Sequence, residues 1–501
     1  MRNRSIPKIL IWLLPFFLLI SGSSSFAGSS ADISPDPGLE TSELSESPYD
    51  RWLELCHVAW EELTFPAGHE KEAPEKAEGT GSLPVLLISW SDGLHPFSVS
   101  PGYGEDPQGA VRDASRRAGK AEGLRYLVID LIREVSERRS IEGASYLQLQ
   151  PGLEGLILEG DHHEYVLSPS ELLFSGSMDE QGRVPLKALE ELVRKKAGSV
   201  FFSPFNSSSR VRSFYSNALF CDGEQVFPLY RGHRMVTLPG RELLLESVAR
   251  GGRYLAGAVL PGGRFLYSYQ PDSDRVNRGY NILRHAGTIY AMLEVYEFTG
   301  EKEILEKAEQ AFDHLERSFS RGTIKGIPAG MIVEDGYLKL GGNALALLAM
   351  SKYTSLTGDD RFRDEMELLA RWMSLTQGEK GNFLVHKQSW PQGKVSDFES
   401  SYYPGEAIFS LVRFYGVDGN PLWLDVAEKA ARYLILERDR GKPLSGLPHD
   451  HWLLYGLNEL YTFRKDDLYL KHAFRIADAI TGSQNLSPQF PDWMGSYYRP
   501  P

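Results

Sequence analysis

The chain has 501 residues, more than one ordinary domain holds, and its 42% hydrophobic and 24% charged content supports packed cores. A formal charge of −13 leaves no basic surplus to neutralise phosphates, which argues against nucleic acid as the main partner. Two cysteines, Cys56 and Cys221, make no disulfide framework; they can pair in an oxidising compartment or remain buried thiols.

Arg2, Arg4 and Lys8 precede an apolar run from Ile9 to Ile20, and Ser25-Phe26-Ala27 fits a small-x-small cleavage site. This predicts a signal peptide over 1–27 and a secreted or periplasmic protein. No other segment approaches ~18 consecutive apolar residues, so no membrane span is expected after cleavage. Residues 28–82 are rich in Ser, Pro, Gly and acidic residues and predict a largely disordered linker, with a short amphipathic helix at Arg51 to Phe65.

Leu83 to Trp90 predicts a strand. Asp106 to Glu137 is expected to hold a helix, with a stripe of Ala114, Ala118, Leu124, Leu127, Ile129, Ile132 and Val135. Strands are expected at Tyr146 to Leu149, Leu156 to Leu158 and Glu164 to Leu167. A helix follows at Pro185 to Lys196, stopped by Gly198. Further strands are expected at Val200 to Phe202, Val211 to Phe214 and Asn217 to Phe220. Together these predict an α+β domain over 83–235. In Asp161-His162-His163 the adjacent histidines lack ligand spacing, so a solvated turn is expected there, not a metal site.

From Arg241 the pattern turns helical and repeats. Asn281 to Thr288, Gly341-Gly342-Asn343-Ala344, Tyr403-Pro404-Gly405-Glu406 and His449-Asp450-His451-Trp452 each open an apolar helix. Second helices follow at Glu301 to Phe319, Asp360 to Thr376, Leu422 to Glu437 and Asp467 to Thr481. The interval of roughly 45–60 residues is that of stacked helical hairpins. The predicted class is therefore multi-domain: an α+β domain, then an all-α (α/α) toroid of hairpins over 238–501. A full toroid needs about twelve helices and nine are visible, so either the toroid is an open arc or the sequence stops before its last hairpin, the second being preferred.

Two resemblances follow. Pro151-Gly152-Leu153-Glu154-Gly155-Leu156, Tyr165 to Pro169 and Lys196-Ala197-Gly198 resemble the later part of the AMMECR1 domain, over about fifty residues. The helical repeat resembles the (α/α) toroids of carbohydrate-active enzymes, namely six-hairpin glycosidases, N-acylglucosamine 2-epimerases and glucuronyl C5-epimerases. Tyr402-Tyr403-Pro404-Gly405-Glu406-Ala407-Ile408 with Leu411-Val412-Arg413 looks like a helix start of the last group. The resemblance implies a carbohydrate partner and either hydrolysis or proton abstraction at C5 of a uronate; a non-catalytic glycan-binding or envelope scaffold protein stands as the alternative.

In such an array the starts of the inner helices face one mouth. Glu406, Asp450, His449 and Tyr403 are the candidate catalytic residues. Arg284, His285, Asn343, Tyr402, His451, Trp452, Asp492 and Trp493 are the candidate binding residues. Carboxylates serve as acid and base, aromatics stack on sugar rings, and Arg holds carboxylates. Each has a plainer role open to it. Glu406 suits a first-turn carboxylate, Asp450 an N-cap, and Arg284-His285 an internal pair. Glu334-Asp335 fits a hairpin tip. No Gly-rich phosphate loop and no HExxH motif occurs, so no cofactor is expected.

Overall fold

The computed structural model describes residues 48–64, 83–93, 98–159, 164–179, 181–197, 209–234, 240–270, 275–277, 279–486 and 492–497. The expected leader, the turn at 161–163 and the strand at Val200 to Phe202 lie outside them. The described residues fall into two units: one from 48 to 234 with Asp492, the other from 240 to 486 with 493–497.

The first unit is built on the strand Arg210–Cys221. Its C-terminal half pairs antiparallel with Tyr126–Val135 and Val226–Tyr230; its N-terminal half pairs with Glu154–Glu159. Leu86–Ser91 and Ser98–Gly102 extend the sheet beyond Tyr126–Val135. The two strands read at Val211 to Phe214 and Asn217 to Phe220 are thus one.

The segment read as linker contains helix α1, Pro48–Thr64. Leu55, Cys56, Ala59 and Leu63 recur at helical spacing and are buried against Leu86, Ile88, Leu127, Ile129, Leu219 and Cys221. The long helix expected from Asp106 is much shorter. Helix α2 spans Pro107–Ala118, capped by Asp106, and ends at Gly119 with φ 71°. Leu127, Ile129 and Leu131 then alternate along a strand instead of continuing a helical stripe. Helix α3, Pro169–Phe174, is closed by a capping box of Ser168 and Glu171. Helix α4, Leu186–Ala197, lies where the sequence puts it.

The second unit holds nine α-helices among the described residues. They are α5 Arg241–Gly257, α6 Ile282–Thr299, α7 Lys302–Arg317, α8 Leu340–Thr357, α9 Arg363–Leu375, α10 Tyr403–Asp418, α11 Pro421–Tyr433, α12 His451–Phe463 and α13 Asp467–Thr481. The helices α6, α8, α10 and α12 pack side by side in that order. Each is backed by the helix that follows it. The turns explain the alternation. Gly300, Gly358 and Gly419 take left-handed φ of 69°, 75° and 74° and terminate α6, α8 and α10. Helix α8 is buried at every position from Leu340 to Tyr353, as a central inner helix must be.

A four-stranded sheet interrupts the helices: Phe319–Ile324, Ile327–Glu334, Tyr337–Lys339 and Lys387–Ser389. Asp335-Gly336, with φ of 51° and 75°, forms the hairpin tip expected after Glu334.

Leu63 tests whether α1 belongs to the core. Leu63→Ala should lower unfolding free energy by about 2–5 kcal/mol in denaturant melts, the cost of an emptied core site. A midpoint equal to wild type would return 48–64 to the linker.

Candidate functional site

The inner helices α6, α8, α10 and α12 run in the same sense, so their N-termini share one end of the unit. Glu406, in the first turn of α10, is 5% exposed, and Asp450, the N-cap of α12, is 0% exposed. Asp450 Oδ1 accepts the Leu453 N–H at 3.0 Å. Its other oxygen and Glu406 Oε2 have no protein hydrogen-bond partner. The nearest cation is Arg438, whose Nη1 lies 3.8 Å from Asp450 Oδ2.

Glycines let the helices come this close. A Cβ on Gly341 in α8 would stand 2.5 Å from Glu406 Oε2 and 2.6 Å from the Tyr403 ring. A Cβ on Gly405 would stand 2.9 Å from Asp450 Oδ1.

Burial, then the charge of Asp450, pushes the Glu406 carboxyl up to about 8. Burial also pushes Asp450 up to about 7, against the Leu453 N–H and Arg438, which favour its ionised form. The Tyr403 phenol is raised to about 12 by burial and by Glu406. A neutral acid and a half-ionised carboxyl thus sit at neighbouring helix starts.

Other expected residues divide. Tyr402 and His451 are exposed, with rings 6.0 Å apart, and the Trp452 ring lies 5.3 Å from His451. His449 is exposed on the turn before Asp450. Arg284 is exposed and donates to the Tyr267 hydroxyl at 3.0 Å. His285 does not face a mouth. It is 2% exposed, with Nδ1 2.7 Å from the Tyr280 hydroxyl and Nε2 2.9 Å from the Ala311 carbonyl, and burial lowers it to about 4. Asn343 is buried and accepts the Ile332 N–H at 2.8 Å, which ties α8 to the sheet. Asp492 is grouped with the α+β unit, where it pairs with Arg231 at 3.2 Å, so it is not a wall of the helical mouth. Trp493 is half-buried in the helical unit. Glu334 caps α6 by accepting the Ile282 N–H at 2.6 Å. Among the described residues no group of three or more His, Cys, Asp and Glu side chains converges as metal ligands would.

The sequence reading missed a buried ion cluster beside Asp450. Asp439 is 0% exposed and takes Arg438 bidentately at 2.9 and 2.7 Å, Lys442 at 3.1 Å and His472 Nε2 at 3.2 Å. Burial opposes its charge, but His472, Arg438 and Lys442 outweigh that and hold the carboxyl well below the usual range. It also missed an aromatic stripe. Phe409 lies 6.2 Å from Tyr290, 5.7 Å from Tyr455 and 6.3 Å from Trp452, ring to ring, with Arg413 over its face at 5.4 Å. Lys352 bridges Glu294 and Glu297 at 2.7 and 2.6 Å. The signal was present: Glu406, Phe409 and Arg413 repeat at helical spacing on one face of α10, as do Trp452, Tyr455 and Glu459 on α12.

A cavity of about 390 Å³ adjoins this region, lined among others by His386, Glu399, Tyr433, Arg438 and Lys442. Neither Glu406 nor Asp450 is part of its wall; Arg438 links the cavity to the carboxyls.

No family model matches the chain, and no curated protein matches it. Among solved structures it is similar to a D-mannose isomerase at 16% identity, covering 53% of this chain and 77% of that one, with a TM-score of 0.42. It is similar to a family 76 glycoside hydrolase, an α-mannanase of Bacteroides thetaiotaomicron, at 14% identity, covering 51% and 79%, with a TM-score of 0.37. It is similar to a cellobiose 2-epimerase of Spirochaeta thermophila at 18% identity, covering 52% and 77%, with a TM-score of 0.38.

The carboxyls set a pH dependence. Glu406 rises from 4.5 to about 8 on folding and Asp450 from 3.8 to about 7, so the folded unit binds protons that the unfolded chain releases. Their contribution is fully present below the unfolded values and is lost as pH rises through the folded ones. Denaturant melts at pH 5, 7 and 9 should show stability falling with pH, and Glu406→Gln should flatten that slope. Equal slopes in both proteins would refute the assignment.

Proposed function

We propose that the helical unit is a carbohydrate-active enzyme working by acid–base chemistry at Glu406 and Asp450. One observation carries this reading: two buried carboxyls at neighbouring helix starts, each with an oxygen lacking a protein hydrogen-bond partner. Polar groups kept dry and unsatisfied cost stability, and such expense is concentrated at functional sites. Glu406, neutral below about pH 8, is the proton donor. Asp450, ionising at about 7, is the base or charge stabiliser. A pair of carboxyls, one giving a proton and one bearing charge, is what glycosidic bond cleavage uses. Tyr402, His451 and Trp452 supply a rim on which a sugar ring can stack.

Hydrolysis is favoured over epimerisation or elimination by a tyrosine base. A base works best with a value near the operating pH, and the Tyr403 phenol is pushed the other way, to about 12. Depth of burial favours a second reading, in which the pair merely shares a proton and the protein binds glycans or scaffolds an envelope. On the strength of the leader-like residues 1–27, we place the protein outside the cytoplasm.

A glycan panel separates the readings by following new reducing ends, unsaturated uronates and deuterium uptake together. Reducing ends alone are expected, declining above pH 8. Glu406→Gln should cut turnover about 10²-fold or more while binding persists. Binding without turnover in the wild type would establish the second reading, and unsaturation or deuterium uptake would overturn hydrolysis.

A further inference from the structure

A second cavity lies wholly within the α+β unit and holds about 470 Å³, inside the range of about 300–1,000 Å³ typical of small-molecule sites. Its walls come from separate elements: Trp52 of α1, the end of Tyr126–Val135, the middle of Arg210–Cys221, Val226–Tyr230 and the turn at 150–153.

The frame of the cavity is fixed. Arg231 has a left-handed φ of 50°. It donates from Nη1 to the Pro151 carbonyl at 2.8 Å and pairs with Asp492 at 3.2 Å. Gly152 meets it so closely that a Cβ there would stand 2.9 Å from Arg231 Cα. The turn is thereby clamped to the sheet edge, and the Arg231 charge is met by Asp492. Such a frame is set before any ligand arrives, which lowers the ordering cost of binding.

Of the other polar groups on the wall, Ser216 donates to Asp130 Oδ1 at 2.8 Å and Tyr230 faces Arg231, while four are unspent. The Tyr215 hydroxyl, the Asn217 and Gln150 amides and the Arg133 guanidinium have no side-chain hydrogen-bond partner among the described residues. Trp52 contributes a half-buried indole. Charge does not select an ion. Glu154 and Glu134 lie near the Tyr215 phenol, Arg133 stands on the same wall, and Arg231 is paired with Asp492. A ligand with many hydroxyls, an apolar ring face and no net charge satisfies this wall.

We propose that this cavity binds a neutral saccharide of about disaccharide size, independently of the chemistry assigned to the helical unit. The test is saturation-transfer NMR on the full chain with lactose, cellobiose and chitobiose, and with glucuronate as the charged control. At least one neutral disaccharide should bind better than glucuronate. Asn217→Ala should weaken it about fivefold, the worth of a lost neutral hydrogen bond. Asn217 is exposed and without a partner, so this change leaves the fold intact; Trp52→Ala should abolish binding but also touches the core. Tyr402→Ala strips the sugar-stacking rim of the helical unit, so transfer that survives it comes from this cavity. Absence of transfer to all three disaccharides overturns the proposal. So does preference for glucuronate, or binding that ignores Asn217→Ala but falls with Tyr402→Ala.

Discussion

The helical unit depends on how close its inner helices come, and that closeness forces the protonation of Glu406. The side chain leaves α10 toward α8 at the point where Gly341 has no Cβ. Water is excluded and no donor replaces it on Oε2. A carboxylate in the first turn of a helix gains about 0.3–1 kcal/mol from the helix dipole, less than one pKa unit at ~1.4 kcal/mol. The shift here is upward and larger, from 4.5 to about 8, so desolvation wins over the dipole.

Asp439 is the contrast that makes this legible. It is as buried as Asp450, yet it stays ionised because Arg438, Lys442 and His472 surround it. Arg438 gives both of its best-aligned bonds to Asp439 and reaches Asp450 only at 3.8 Å. One guanidinium therefore divides two neighbouring acids into a fixed anion and a titratable group. Chemistry at neutral pH needs the second kind, and the first keeps the cation in position.

The repeat was readable because its punctuation is local. Thr299-Gly300, Thr357-Gly358 and Asp418-Gly419 each end an inner helix through a left-handed glycine whose N–H bonds to the carbonyl four residues back, a wholly local signal. The helix expected through Glu137 failed for the same reason, since Gly119 and Gly123, both at φ 71°, break a stripe that apolar content alone would carry on. Helix α1 was visible as an amphipathic stretch at Arg51 to Phe65, but its charged flanks look like linker, and only burial on a distant sheet shows that it belongs to the core. Candidate residues at helix starts were found, but their satisfaction by distant partners was not. His285 is answered by Ala311 and the Asn343 side-chain oxygen, though not its nitrogen, by Ile332, contacts that no local pattern encodes.

Position within the repeat sharpens that point. His285, Asn343 and Glu406 are each the fourth residue of their helices, α6, α8 and α10, and all three are buried polar groups. The same geometric slot is filled three times with a different side chain. In α6 it locks onto the backbone of α7, and in α8 onto the sheet that follows Phe319. In α10 the slot holds the one ionisable acid of the three, and its side chain makes no hydrogen bond among the described residues. An array that twice uses this slot for joining elements could have done so again with an amide at less cost. Retaining an unanswered carboxyl there is explained by a group that is meant to meet something the fold itself does not supply.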